Sequence, residues 1–188
     1  MTETLDVIKS RYSCRRYADR PVDPQVLRQI AEAAVMAPSA VNRQFWRIIV
    51  ITDPALLLEM NDVGMVKLKD CDPAGYERIM SRGGRFFYDA PAVVFIAAQP
   101  SKDSFPTELD TGIVASHIVL AAASLGVNSC ITAMSGALFR EPDGDAWEKR
   151  LGFPEGYHFG LGILLGYEGE TPRAPHTPDF DKISMITG

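Results

Sequence analysis

Thr107-Glu-Leu-Asp-Thr-Gly-Ile-Val-Ala-Ser-His-Ile-Val-Leu-Ala-Ala-Ala-Ser-Leu125 is the stretch around which the rest of the chain organises. It reads as one helix, and Ile113, Val114, Ile118, Leu120, Ala121 and Leu125 leave almost no wholly polar side. A helix apolar nearly all round must be buried, either at the centre of a domain or with its second face against another subunit. Upstream, Ala92–Gln99 (AVVFIAAQ) is a continuous apolar run of strand length. Downstream, Asn128–Ala133 and His158–Gly166 read as two further strands, with a short helix near Asp145–Leu151 between them.

Farther out on the N-terminal side, Leu5, Ile8 and Tyr12 recur at helical spacing and predict a short first helix ending near Ser10–Tyr12. Asp23-Pro24 is a cap followed by proline at the first helical position, with Val26, Leu27, Ile30, Ala31 and Ala34 as the apolar face. That helix stops before Pro38. Ser39–Gln44 is then a polar loop, Arg47–Thr52 a strand, and Asp53-Pro54 a second cap-plus-proline start. Asn61–Gly84 carries Gly64, Gly75, Gly83 and Gly84 with little periodicity, and reads as a long mobile segment, either a lid over a site or a surface excursion. Residues 169–188 start with prolines and finish in Ile183-Ser184-Met185-Ile186, so the tail is expected to dock on something, as an added strand. Strands alternating with helices give an α/β or α+β class in a single domain spanning 1–188.

Composition narrows the function. With 188 residues, 46% of them hydrophobic, the chain has material for one real core. A formal net charge of -5 offers no global attraction to a polyphosphate, so no nucleic-acid partner is expected. Cys14, Cys71 and Cys130 are too scattered for a disulfide framework, which suits a reducing compartment. The longest apolar stretches, Ala90–Ala98 and Ile118–Val127, fall short of the ~20 residues of a membrane span. The reading is a soluble, cytoplasmic protein with no membrane partner.

Familiar catalytic signatures are missing. His117, His158 and His176 have no metal-ligand spacing, so no metal site is expected. Ser135 lies in Ala-Met-Ser-Gly, which is not a nucleophile elbow. Gly160-Leu-Gly162-Ile-Leu-Leu-Gly166 has the wrong spacing for a dinucleotide fingerprint and falls inside a strand.

Two clusters remain. In an extended segment, residues two apart face the same way, so Arg11, Ser13 and Arg15 present two guanidiniums and a hydroxyl to one side, suited to a phosphate and the electron-rich edge of a ring. A solvated basic turn is the plain alternative. Cys14, between the arginines, could be activated by them, but the alternation turns it to the opposite side. The second cluster is Pro38-Ser-Ala-Val-Asn-Arg-Gln-Phe-Trp46, where Asn42 and Gln44 offer amides able to read a flat heterocycle and Trp46 either joins them or staples the loop into the core.

With these clusters in view, the chain resembles the nitroreductase family of flavin enzymes. The resemblance lies in Arg11-Tyr-Ser13-Cys-Arg15, Ala37-Pro38-Ser39, Asn42-x-Gln44-x-Trp46, Phe86-Phe-Tyr-Asp-Ala-Pro91, Leu120-Ala-Ala-Ala-Ser-Leu-Gly-Val127 and Gly166-Tyr167, in the family's order over nearly the whole chain. It implies an α+β fold with a central mixed sheet flanked by helices, forming an intertwined homodimer with exchanged C-terminal tails and FMN at each subunit interface. Arg11 would meet the FMN phosphate, and Ser13 and Arg15 the ribityl and pyrimidine side. Pro38, Ser39 and Asn42, with Gln44 beside them, would approach the partner's flavin. The backbone of Thr132, Ala133 and Met134 would lie near the flavin N5, and Arg173 is the tail cation chosen for the phosphate over Lys182. In place of the family's Gln-Pro-Trp stands Gln44-Phe45-Trp46, which loosens the loop's backbone.

The activity so implied is FMN-dependent reduction of nitroaromatics, quinones or similar flat acceptors by NAD(P)H in a ping-pong cycle, with no catalytic side chain required beyond the flavin. Flavin fragmentation, reductive dehalogenation and non-catalytic flavin binding are the alternatives on the same fold.

Overall fold

Three Asp-Pro pairs lay out the helical framework. The computed structural model, which describes residues 4–101, 106–170 and 177–187, begins with α1 (Thr4–Ser10). Asp23 then caps α2 (Pro24–Val35), its carboxylate accepting from the Gln25 N–H at 2.7 Å, while Pro24 fills a position whose amide would have no helical partner. After β1 (Trp46–Ile51), Asp53 caps α3 (Pro54–Cys71) by accepting from the N–H groups of Ala55 and Leu56. Asp72 repeats the device for α4 (Pro73–Met80), accepting from Gly75.

That third pair corrects the long loop expected over Asn61–Gly84, most of which is helix. A Cβ on Gly64 would stand 2.5 Å from the ring of Phe86, so this glycine lets α3 lie directly on the ring. Asn61, buried one turn earlier, accepts the Phe86 N–H at 2.6 Å and closes the same seam. Lys67 holds the far side of α3: its ammonium donates to the carbonyls of Leu138 (2.9 Å) and Arg140 (2.6 Å) and pairs with Asp143.

Four strands, β1, β2 (Ala92–Ala98), β3 (Asn128–Thr132) and β4 (His158–Gly166), form a sheet in the order β1-β2-β4-β3. Every neighbouring pair is antiparallel. Among the described residues, the parallel component of the expected mixed sheet is one bridge, Ser13 to Ser129, at the β3 edge.

Alternation along the two central strands divides the core. Val93, Phe95, Ala97 and Leu164 face Met60, Leu68, Ile79, Phe86, Leu138 and Trp147, under α3, α4 and α6 (Gly144–Arg150). Val94, Ile96, Ile163 and Leu165 face Leu27, Ile30, Ala34, Val114, Ile118 and Ala122, under α2 and α5 (Thr107–Ser124). Each valine, leucine, isoleucine, phenylalanine or methionine among them contributes about 1.5–3 kcal/mol on full burial. Only one side of α5 is covered, however. Leu109 is 65% exposed, and Ile113 and Leu125 are also open, so the second apolar face inferred from the sequence is left uncovered among the described residues. Phe180, Ile183, Met185 and Ile186 are likewise exposed, and 177–187 contains a helical turn, Phe180–Lys182, rather than the expected strand.

Candidate functional site

The chain from Arg11 to Ala18 is pinned at two places. Cys14 N–H donates to the Ser129 carbonyl of β3 at 2.9 Å, and Ala18 N–H donates to the Tyr167 carbonyl just beyond β4, also at 2.9 Å. Bridging fixes the alternation: Cys14 is 2% exposed, whereas Arg11, Ser13 and Arg15 are half-buried. Cys14 Sγ donates to the Arg16 carbonyl, and burial pushes its thiol above the usual range, in keeping with a cysteine turned away from the arginine side and not activated by it.

Arg11 and Arg15 line separate hollows, which spacing alone did not reveal. Arg11 borders a hollow of about 220 Å³ with Ser10, Ala123, Gly126, Asn128 and Ser129, at the C-terminal end of α5. Among the described residues it has no ion-pair partner. Arg15, its Nη1 donating to the Ser13 carbonyl at 3.3 Å, borders another of about 310 Å³ together with Arg82 and Tyr88.

Sequence reasoning missed the group that braces this segment. The Tyr12 hydroxyl donates to the Glu168 carboxylate and accepts from Asn128 Nδ2 at 3.4 Å, while the Glu168 N–H donates to Asn128 Oδ1 at 3.2 Å. Burial, and then the Glu168 carboxylate, raise the Tyr12 phenol far above its ordinary range and keep it a donor. Arg82 was missed as well, because the stretch holding it read as a loop; its Nη1 donates to the Tyr88 hydroxyl at 3.4 Å.

The second cluster is a loop around a short helical turn, Ala40–Asn42. Ser39 Oγ accepts the Gln44 N–H at 3.1 Å, and Gln44 Nε2 donates to Asn42 Oδ1 at 2.7 Å. Pro38, Asn42 and Gln44 are exposed and Ser39 is half-buried, while Trp46 is 4% exposed, a core staple and not a reader of ligand. Arg43 is turned inward onto Asp110 of α5 at 3.1 Å. No periodicity could link residues so far apart in the chain.

The third cluster ends β3. Thr132 pairs with Gly162, after which Ala133–Phe139 tightens into a turn that no side chain caps. Ala133 is exposed and Met134 half-buried. A Cβ on Gly162 would stand 2.2 Å from Ser135 Oγ, which itself donates to the Thr132 carbonyl at 2.6 Å. This glycine of the Gly-Leu-Gly run therefore serves close packing under the strand exit. Arg173 lies outside the described residues.

The bridge at Ser129 lays the Arg11–Arg15 segment along the same edge strand that ends at Thr132–Met134, so the structure brings the first and third clusters to one edge. It does not bring the second to Arg11. The Ser39–Gln44 loop is tied to Asp110 in the first turn of α5, and Arg11 borders Ala123 in its last turn. Thirteen residues of helix at ~1.5 Å each separate them by about 20 Å, more than a side chain spans.

An α+β chain wrapped on a half-covered central helix, with the Arg11–Arg15 segment and the turn after β3 gathered at one sheet edge, defines the class. A model of the Nitroreductase family matches residues 8–167, and the chain belongs to that family. A crystal structure of a nitroreductase with bound FMN from Desulfitobacterium hafniense DCB-2 is 43% identical and covers 100% of both chains with a TM-score of 0.93. Another nitroreductase with bound FMN, from Bacteroides fragilis NCTC 9343, is 27% identical over 100% of both chains with a TM-score of 0.87. A protein of Archaeoglobus fulgidus, named provisionally as an NADH dehydrogenase/NAD(P)H nitroreductase, is 29% identical over 89% of this chain and 86% of its own length. Among the described residues no helix is long and apolar enough to cross a membrane.

Proposed function

We propose that the protein is an FMN-dependent oxidoreductase that draws electrons from NAD(P)H and delivers them to nitroaromatics, quinones or related flat acceptors, in the cytoplasm. The observation that carries this reading is the Ser13–Ser129 bridge, which aligns Arg11, Ser13 and Arg15 with the strand exit at Thr132–Met134. The donor set suits the cofactor. Arg11, without an ionic partner among the described residues, borders a hollow with hydroxyl and amide neighbours and would take the phosphate, with Arg173 joining from the tail. Ser13 and Arg15 would hold the ribityl and pyrimidine side, and the uncapped backbone of Thr132, Ala133 and Met134 would border N5.

FMN, when bound, would supply two-electron hydride chemistry between a nicotinamide and a flat acceptor. Arg15 would stabilise the negative charge that reduction places on the pyrimidine side. Tyr12, Glu168 and Asn128 keep the arginine segment seated on β3 and β4.

The site is completed by a second copy. The separation of the Ser39–Gln44 loop from Arg11, the open face of α5 and the exposed apolar tail all support a homodimer in which Pro38, Ser39, Asn42 and Gln44 approach the flavin held by the partner.

The experiment starts with the visible spectrum of the purified protein, followed by anaerobic titration with NADH and NADPH. A flavin spectrum that bleaches with either donor and recovers on adding menadione or a nitroarene is the expected outcome. Colour that persists through both titrations overturns the enzymatic reading in favour of flavin storage. Colourless protein indifferent to added FMN overturns the cofactor assignment itself.

A further inference from the structure

Val41, Asn42 and Gln44 all have positive φ, at 46°, 56° and 53°. Asparagine takes this region readily. Val41 is branched at Cβ and 77% exposed, so its backbone is strained there and burial offsets little of the cost. Hydrogen bonds inside the loop, Asn42 N–H to the Ser39 carbonyl and Gln44 N–H to Ser39 Oγ, set its shape but do not tie it to the body.

Asp110 supplies that tie. Its Oδ1 accepts the Ala40 N–H at 3.2 Å and its Oδ2 accepts from Arg43 Nη2 at 3.1 Å, so one carboxylate grips both flanks of the strained residue. Arg43 is gripped in turn: its Nη1 donates to Ser101 Oγ at 3.0 Å and its guanidinium lies over the Phe45 ring at 5.4 Å. The two side chains are only 5% and 8% exposed. An ion pair so buried is poor evidence for net stability, because desolvation offsets its attraction, but it tolerates few alternative geometries.

We propose that the Asp110–Arg43 pair is a positioning device that holds the Ser39–Gln44 loop in the strained form in which it meets the flavin, an inference that rests on the site reading given above. Neither residue touches the cofactor in this role. Asp110 acts through Ala40 and Arg43 on Ser39 and Asn42.

The test uses the full chain with FMN and two readouts, the FMN dissociation constant by fluorescence titration and the visible circular dichroism of the bound flavin. The second responds to asymmetric contacts at the ring, which a merely structural residue leaves unmoved. Asp110→Asn keeps an acceptor for Ala40 while removing the charge facing Arg43. It is expected to weaken FMN binding about tenfold or more and to alter the visible band, with far-ultraviolet dichroism unchanged. Adding Val41→Asn, which relieves the backbone strain, is expected to recover much of that affinity. Asp110→Asn with wild-type affinity and an unchanged band overturns the proposal, and absence of recovery with Val41→Asn overturns its link to strain. Should Asp110→Asn fail to fold, Arg43→Lys, which keeps the charge but loses the fork, is measured the same way with the same two outcomes. Wild-type protein that takes up no FMN overturns the site reading and the inference with it, whereas wild type that binds while the variants match it overturns the positioning role alone.

Discussion

The ring of Phe86 lies so close to Gly64 that a Cβ on the glycine would stand 2.5 Å from it. Phe86 is fully buried and cannot swing into solvent. Gly64→Ala is therefore expected to destabilise the protein by about 1–3 kcal/mol of overpacking, although alanine is the better helix former by ~1 kcal/mol. Denaturant unfolding measures the balance. A stabilised variant would show that the ring yields.

The same contact explains what the sequence concealed. Glycine with charges and weak periodicity over Asn61–Gly84 reads as loop, yet Gly64 is a contact glycine inside α3, and Asp72-Pro73 is the cap-plus-proline signal already recognised at Asp23 and Asp53. Local signals were legible: two of the capped helices, all four strands, the all-round apolar helix and the inward turn of Cys14 follow from spacing. Relations across the chain were not. Arg43 meets Asp110, Tyr12 meets Glu168, and Arg11 and Arg15 part into separate hollows, with the backbone between them bonded at Cys14 to Ser129 of β3.

The two arginines should separate in their effects. Arg11→Glu is expected to leave the purified protein without FMN, read directly from its absorbance. Arg15→Ala should retain much of the flavin but lower its midpoint potential by tens of millivolts, since ~30 mV corresponds to about 1.4 kcal/mol for a two-electron couple. Spectroelectrochemistry decides it, and an unchanged potential contradicts the role given to Arg15.

Ending the chain after Glu170 removes the segment that carries Phe180, Ile183, Met185 and Ile186. The shortened protein is expected to run as a monomer in light scattering and to lose its FMN. A dimer that stays yellow would show that the tail is dispensable.

Stability should depend on pH through Asp143. The hydrogen bond from Lys67 comes first in holding its carboxyl below the ordinary range. Because the folded value lies below the unfolded one, the stabilisation is complete above the ordinary carboxylate range and is lost as pH falls through the folded value. Asp143 is about half exposed, so the contribution is at most about 1 kcal/mol. Asp143→Asn should lower Tm at neutral pH, with the gap to wild type closing in acid; a gap independent of pH would rule the linkage out.

All three protons of the Lys67 ammonium have acceptors, two carbonyls and a carboxylate, and the side chain is 14% exposed. An amine-reactive reagent will accordingly find this lysine late, after open ones such as Lys182. The lag in its acetylation or reductive methylation is a clock for the moments when α3 lifts from the turn beneath it, readable by peptide mass without any knowledge of the substrate.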